Sequence, residues 1–411
     1  MRSVELPEWG EQLQIDPDVW ARTMEIHRSR IVLNLGVMSS LRLIQPGRDF
    51  GRRWQGREDP DLNYAATAHL DLPRVREGAV NVLGMMACAP ARSEADAVQS
   101  PLRGLEHVDV ILTDVVEGHS DEVELALTVA DVRRIVGTGK IAVVLGMQAA
   151  DMLGGSVRAL RSFRRLGVQY ITLTHAWSNE LIDSSTGEER WGGLSELGRE
   201  IVLEMNRVGV VPDITHCSDK GSTQVLELSR GPVIASHSNC RSLCDHLGER
   251  NLSDDLIRDL AATGGVISLN FSPRLIHQGN ADAYPRFMDE VQPLLRDFVE
   301  DLEAKHAGDL ETQYDLRMQF LSEHGIPYPT HEDIVDHVEH VVNLVGWDHI
   351  GIGSDFDGTG LLERHMEDVS KIPLLTYELL RRGHEESDIV KCLGENMLRV
   401  FDLTREMADH G

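Results

Sequence analysis

Long apolar runs are missing from this sequence of 411 residues. No stretch approaches the roughly 20 apolar residues that span a bilayer, and the N-terminus shows no basic start followed by an apolar segment. We therefore expect a cytoplasmic protein with no membrane partner.

Cysteine is scarce as well. The five cysteines are odd in number, form no Cys-x-x-Cys pair and are too sparse for a disulfide framework. They are Cys88, Cys217, Cys240, Cys244 and Cys392. We predict that all five are reduced thiols.

Positive charge is in short supply: 40 Lys and Arg stand against 67 Asp and Glu, for a formal net charge of −27. This negative charge repels phosphate backbones and anionic membranes, so we expect no nucleic-acid partner. With 41% hydrophobic residues the chain has ample material for a buried core.

Short runs rich in Val, Ile and Leu are present, and most are followed by amphipathic segments of helical period. The runs cover residues 30–38, 80–87, 108–116, 141–147, 169–175, 210–216, 232–238, 265–271 and 350–356. Strands that alternate with helices indicate a parallel barrel or open sheet. Nine candidates for the eight strands of a barrel predict one peripheral strand, at 108–116 or at 80–87.

The length fits a single α/β barrel with insertions. We predict one domain over residues 1–411, with an N-terminal extension over about 1–29. A strongly charged segment of helical character, at about 273–331, is predicted to be an insertion between the last two strands.

Four polar residues each end a different apolar run: His175, His216, His237 and Asp355. In a barrel, catalytic groups emerge at the carboxyl ends of strands. His216 and His237 are separated by one strand-helix-strand step, so their imidazoles are expected to share a space that suits Zn²⁺. Asp355 is placed to act as a general acid or base, whereas Asp357 is expected to be a loop or helix-start residue.

These residues lie in blocks that resemble the renal (membrane) dipeptidase family, zinc hydrolases that cleave dipeptides. The blocks cover residues 166–179, 193–218, 232–246, 250–257 and 350–358, and the resemblance extends in order to residue 402. It implies a (β/α)₈ TIM barrel of the metal-dependent hydrolase, amidohydrolase-like type. It also implies a homodimer, because family members often pair.

By the same resemblance, His216 and His237 match the two histidines that hold one zinc of a pair. His175 matches a histidine that contacts the substrate, and Asn179 in the same block is assigned to substrate binding with it. Arg250 resembles the arginine that meets the substrate carboxylate, with Arg241 as a competitor for that role. Asp355 resembles the acid/base aspartate.

The sequence departs from the family at three ligand positions. The His-x-Asp pair expected after the first strand falls on Gly36 and Met38, neither of which can bind zinc. The bridging glutamate is replaced by Gln148, a neutral amide that cannot balance two dications. Asp151 would supply a carboxylate only if its loop rearranged.

A second His-x-Asp pair, His69 and Asp71, is an alternative metal arm. The residues around it resemble a different family block, which follows the first strand, and this favours a structural role.

We therefore predict an enzyme that acts on a small amino-acid- or peptide-like substrate with one zinc ion or none. Asp355 and His175 would serve as acid and base in a specialised or biosynthetic reaction. Two alternatives stay open at this point: an ordinary zinc dipeptidase and a non-catalytic binding or scaffold protein.

Overall fold

Nine parallel strands form the centre of the computed structural model, which describes residues 6–7, 10, 13–45, 47–54, 68–90, 98–360, 362 and 365–409. The strands are β1 Leu33–Val37, β2 Val82–Cys88, β3 Val123–Leu125, β4 Ile141–Gln148, β5 Val168–Thr172, β6 Val211–Asp213, β7 Ile234–Ser238, β8 Val266–Leu269 and β9 Ile350–Ile352. Parts of the predicted N-terminal extension, residues 1–5, 8–9 and 11–12, lie outside the described residues.

Eight of the strands follow one another around a nearly closed ring, in the order β1-β2-β4-β5-β6-β7-β8-β9, and β3 pairs with β4 off this path. Asn34 joins the two ends of the ring: its amide donates to Oγ of Ser354 across 2.8 Å and accepts the Ser354 N–H across 3.1 Å. The backbone N–H of Met38 also donates to the carbonyl of Phe356, 2.8 Å away. The prediction of a (β/α)₈ barrel is confirmed.

The apolar run at 108–116 is helical, so its assignment as a candidate strand was wrong. It spans the end of the helix Ser100–Val110 and the π-helix Ile111–Glu117. Its buried residues Val108, Ile111 and Val115 recur at helical spacing, whereas Asp109 and Asp114 are exposed. The peripheral strand is the three-residue β3, and the run at 80–87 is a strand of the ring.

Helices connect the strands and cover the ring. Their bounds are Pro17–Ser29, Ser40–Leu43, Leu72–Glu77, Ser100–Val110, Val129–Gly137, Val157–Arg165, Glu196–Val208, Asp219–Leu228, Asp254–Ala262, Pro273–Ile276, Gln278–Arg286, Gln292–Lys305, Leu310–Glu323, His331–Val345, Pro373–Arg381, Glu386–Val390 and Asn396–Asp409. Shorter 3₁₀ and π segments are Ala150–Leu153, Trp347–His349, Val369–Lys371, Phe287–Val291 and Lys391–Glu395. Within the described ranges, no helix is both long and apolar enough to cross a membrane.

Serine caps fix the starts of four barrel helices. Each serine Oγ accepts a backbone N–H from the first turn, which satisfies a donor that the helix itself leaves unpaired. The caps are Ser156, Ser195, Ser218 and Ser253.

The ring interior is packed around Tyr170 of β5, whose ring is fully buried. Its hydroxyl donates to the carbonyl of Gly84, 3.0 Å away. Gly146 makes room for the ring, because a Cβ at that position would lie 2.3 Å from the Tyr170 Cζ. The strands are buried on both faces, as expected for a parallel sheet covered by helices. The five cysteines are buried and form no disulfide with one another.

Candidate active site

The carboxyl ends of the strands bring the predicted polar residues to one rim of the barrel. His237 lies within β7, Gln148 is the last residue of β4, and His216 and Asp355 follow the ends of β6 and β9 by three residues. His216 has a φ of 72° and Asp355 has a φ of 60°. Both values lie in the left-handed region, which residues other than glycine rarely adopt. Backbone strain of this kind tends to occur at functional sites.

The two histidines and Gln148 form a tight triangle of nitrogen atoms. Nε2 of His216 and Nε2 of His237 are 3.3 Å apart. The amide nitrogen of Gln148 lies 3.2 Å from the first and 3.1 Å from the second. The expectation that the two imidazoles share one space agrees with this geometry.

Arg250 sets the direction of the hydrogen bonds in this triangle. A guanidinium only donates, and Nη2 of Arg250 lies 3.5 Å from Nε2 of His216, so this nitrogen must carry a lone pair. The Gln148 amide then has to present its NH₂ group to both imidazoles. Its Oε1 faces Cys88, whose thiol donates to it across 3.1 Å. The Gln148 amide thus binds the two lone pairs that a metal ion would use.

Both imidazoles are neutral in this arrangement. Burial, followed by the charge of Arg250, lowers the pKa of His216 and the pKa of His237 well below the ordinary histidine value. Nδ1 of His237 lies 2.8 Å from Oγ of Ser236 and donates to it when Nε2 is unprotonated.

The positions of the other family ligands cannot hold a metal ion. Gly36 has φ of +67°, and a Cβ there would lie 3.3 Å from the Cβ of His237, so a histidine at this position would be strained and crowded. Met38 is fully buried in an apolar cluster that includes Leu35. A two-zinc centre of the family type therefore does not fit these residues.

A single zinc ion fits the histidine pair only in part. Two nitrogen ligands at about 2.0–2.1 Å on a tetrahedral zinc are about 3.3 Å apart, which is the separation of the two Nε2 atoms. The third neighbour is the neutral amide of Gln148, which is a weak ligand. The pair can hold one ion, but it lacks the anionic ligand that would bind the ion firmly.

Elsewhere in the described chain, three side chains are close enough to hold a metal ion: the ligand atoms of His331, Glu332 and Glu378 lie within 4.8 Å of one another. These residues belong to two outer helices. Arg381 donates to both carboxylate oxygens of Glu378, and Arg382 donates to one of them. Because the arginines already satisfy this carboxylate, we assign the group to helix packing.

Asp355 is half-buried at the rim. Its Oδ2 accepts a hydrogen bond of 3.0 Å from Nδ2 of Asn270, the residue that follows β8. Desolvation raises the pKa of Asp355 to about 6, against the opposing effects of Arg250, Asn270 and Arg274. A carboxyl group with this pKa exchanges protons near neutral pH, as a general acid or base must.

Arg250 is 4% exposed and has no carboxylate within ion-pair distance among the described residues. It donates to Oγ of Ser238 and to the carbonyl of His237. Burial lowers its pKa to about 10. Its sequence competitor Arg241 is bound through two nitrogens to Asp219, at 2.6 and 2.7 Å. An unpaired buried guanidinium is costly unless an anionic ligand binds to it.

His175 is half-buried, and its ring centroid lies 4.5 Å from that of His216. Asn179 is placed differently: its amide donates to Asp151 and to the carbonyl of Leu173, and it accepts two backbone N–H groups of its own loop. The Asn179 side chain thus holds the loop that carries His175. Its predicted contact with substrate gains no support from these bonds.

The remaining acidic candidates are engaged in the framework of the rim. Asp357 forms a buried ion pair with Arg42, at 2.8 Å, and accepts the backbone N–H of His69. Asp71 caps the helix that starts at the next residue and pairs with Arg74. These contacts agree with structural roles and give no support to a metal arm at His69 and Asp71.

Two residues of the site, Cys88 and Asn270, were not among those predicted from the sequence. Cys88 is the last residue of β2, and the run assigned to this strand stopped at residue 87. Asn270 directly follows β8, within the apolar run 265–271. The criterion that selected the histidines, a polar residue at the end of a strand, finds both residues only with the observed ends of β2 and β8.

Comparison with known proteins agrees with this architecture. Residues 36–410 match the model of the family described as membrane dipeptidase, peptidase family M19. The dipeptidase verJ of Clonostachys rogersoniana is 34% identical over 357 residues, which cover 85% of this chain and 79% of that protein.

Solved structures show the same barrel. The probable dipeptidase PvdM of Pseudomonas aeruginosa has a TM-score of 0.76 and 26% identity, covering 95% of this chain and 99% of that one. A metallo peptidase of Rhodobacter sphaeroides, liganded with a phosphinate mimic of the dipeptide L-Ala-D-Ala, has a TM-score of 0.70 and 21% identity, covering 92% and 100%. At that identity, the second likeness shows the fold alone.

Proposed function

Because the chain belongs to the membrane dipeptidase family, peptidase family M19, we propose that it is an enzyme acting on a small amino-acid- or peptide-like substrate with no more than one zinc ion. The observation that carries the proposal is the Gln148 amide nitrogen, 3.1–3.2 Å from both histidine Nε2 atoms. Where the family has an anionic bridge between two metals, this chain has a hydrogen-bond donor.

The remaining side chains support binding and proton transfer. Arg250 offers an unpaired guanidinium to a substrate carboxylate. Asp355, with its pKa raised to about 6, accepts a proton from the substrate or from a water molecule beside it and returns the proton later. His175 is half-buried beside His216 and would stabilise a polar group of the substrate.

One zinc ion on His216 and His237 would polarise a substrate carbonyl group when bound. The proton transfers assigned to Asp355 do not depend on that ion. We propose a specialised or biosynthetic reaction, such as an isomerisation, elimination or condensation, because these steps need an acid/base group and an anchored carboxylate. Family membership favours a second candidate, hydrolysis of dipeptides.

The test uses the purified protein after dialysis against a chelator, with and without added zinc. Binding and turnover of a panel of dipeptides and amino-acid derivatives are measured for the wild type, Arg250→Met and Arg241→Met. We expect binding that does not require zinc and is weakened by Arg250→Met only. Brisk zinc-dependent cleavage would establish the dipeptidase alternative, and the absence of any binding would favour a scaffold.

The cytoplasmic location and the homodimer stay predictions. Cell fractionation tests the first, and light scattering of the purified protein tests the second.

A further inference from the structure

A second arginine, Arg274, lies at the same rim as Arg250. It stands five residues beyond the end of β8, in the short helix Pro273–Ile276 that opens the segment between β8 and β9. Asn270, four residues earlier, holds Asp355. Arg274 therefore lies in the same short segment as the hydrogen-bond donor to the acid/base carboxylate.

Asparagine side chains fix the loop of Arg274 against the loop of Arg250. Asn251, the residue after Arg250, donates from Nδ2 to the carbonyl of Leu275 across 2.8 Å. Asn239 donates to the same carbonyl across 3.2 Å. The residues next to the two arginines are thus tied together, so the backbone of Arg274 lies beside the loop that carries Arg250.

The charge of Arg274 acts on the site. It lowers the pKa of Asp355 as one of several contributions. This effect agrees with the place of Arg274 in the chain, four residues after Asn270, which donates a hydrogen bond to Asp355.

Arg274 has no carboxylate partner in the described part of the chain. Its guanidinium lies 4.6 Å from the ring centroid of Tyr284, a cation–π contact that leaves the N–H groups available. Asp245 and Asp282 lie nearby and raise the pKa of His246, but neither forms an ion pair with Arg274.

Two carboxylates of the site, Asp213 and Asp355, act electrostatically on Arg250. Asp213 acts on Arg250, and its oxygens already accept hydrogen bonds from Thr172, Thr215 and Ser236. Asp355 is held by Asn270. Arg274 is therefore a half-buried cation of the rim that forms no ion pair with a carboxylate among the residues that the structure describes.

We propose that Arg274 is a specificity-determining residue that selects substrates with a second anionic group besides the carboxylate bound by Arg250. The substrate class is then an acidic dipeptide or a comparable dicarboxylic amino-acid derivative. This inference rests on the proposed function, since it assumes that Arg250 anchors a carboxylate.

The test compares peptides that differ by one charge: L-Ala-L-Glu with L-Ala-L-Gln, and L-Glu-L-Ala with L-Gln-L-Ala. Affinity is measured as Kd by calorimetry, or as kcat/KM where a peptide is turned over. The proteins are the wild type, Arg274→Gln, Arg274→Lys and, as a matched surface control, Arg258→Gln, whose arginine pairs with the exposed Asp255.

For one of the two pairs, we expect the wild type to prefer the acidic peptide by about tenfold or more. Arg274→Gln should remove this preference without weakening the amide peptide, Arg274→Lys should keep part of it, and Arg258→Gln should leave it unchanged. Equal affinity of the wild type for both members of each pair would overturn the assignment. An equal loss of affinity for acidic and amide peptides in Arg274→Gln would also overturn it, because that result would mean that both arginines bind the same carboxylate. Failure of all four peptides to bind or react would overturn this inference, whereas the proposed function is decided by the wider panel of dipeptides and amino-acid derivatives.

Discussion

Nδ2 of Asn270 donates a hydrogen bond to Oδ2 of Asp355 across 3.0 Å, and this bond joins the end of β8 to the loop after β9. The Asn270 amide thus holds one carboxylate oxygen of Asp355, a residue whose backbone is in the left-handed region. The bond fixes the direction of the Asp355 side chain, which a general acid or base needs in order to meet its substrate.

Asp355→Asn should lower kcat by about 100-fold or more, because the amide cannot carry the proton. Folding should be retained, since Asn270 can still pair with an amide oxygen. Asp357→Asn is the contrasting variant: it removes the negative charge from the buried ion pair with Arg42 and should cost about 1–3 kcal/mol of unfolding free energy. Steady-state kinetics and urea unfolding of both variants measure these effects. Turnover retained by Asp355→Asn would remove the residue from the mechanism.

The pH dependence should report the raised pKa of Asp355. When the ionised carboxylate acts as the base, kcat/KM rises about tenfold per pH unit below about pH 6 and levels off above it. An aspartate with the ordinary pKa of about 3.9 would place this rise in kcat/KM about two pH units lower. The residual activity of Asp355→Asn should not show this rise with pH. If the rise persists in the variant, it belongs to another titratable group.

Gln148→Glu should raise the affinity of the histidine pair for zinc by about tenfold or more, because a carboxylate would replace an amide about 3 Å from both Nε2 atoms. Cys88→Ser is the control, since serine keeps a donor for Oε1 of Gln148 and adds no charge. Competition with a chelator measures the zinc affinity of each protein. An unchanged zinc affinity in Gln148→Glu would show that a carboxylate at position 148 is not the ligand that the histidine pair lacks.

Gly146→Ala should destabilise the barrel by about 1–3 kcal/mol, because the added methyl group collides with the buried ring of Tyr170. Gly137→Ala, at the end of the helix Val129–Gly137, meets nothing within 4 Å and should be neutral or slightly stabilising. Urea unfolding compares the two. Equal stability of the variants would contradict the packing of Tyr170 in the ring interior.

The positions of the site residues could be predicted because parallel strands bring their last residues to one rim. His216 and His237 needed only this rule. The hydrogen-bonding role of Gln148 could not be predicted, since it depends on Cys88, 60 residues away in the chain, and on the donor-only chemistry of Arg250.

The misassigned run at 108–116 shows a second limit. A short apolar run fits a buried strand and a buried helix equally well, and only the spacing of the buried residues separates the two. The three-residue β3 was missed because Val123–Leu125 carries too few residues for a recognisable alternation.

We propose that the barrel rim lacks a two-metal centre. Metal analysis of the purified protein, equilibrated with excess zinc and then freed of unbound ions, is the test, with His237→Ala as the reference for the histidine pair. We expect no more than one zinc ion per wild-type chain at this pair and none at it in the variant. Two zinc ions per wild-type chain, both lost in His237→Ala, would overturn the proposal.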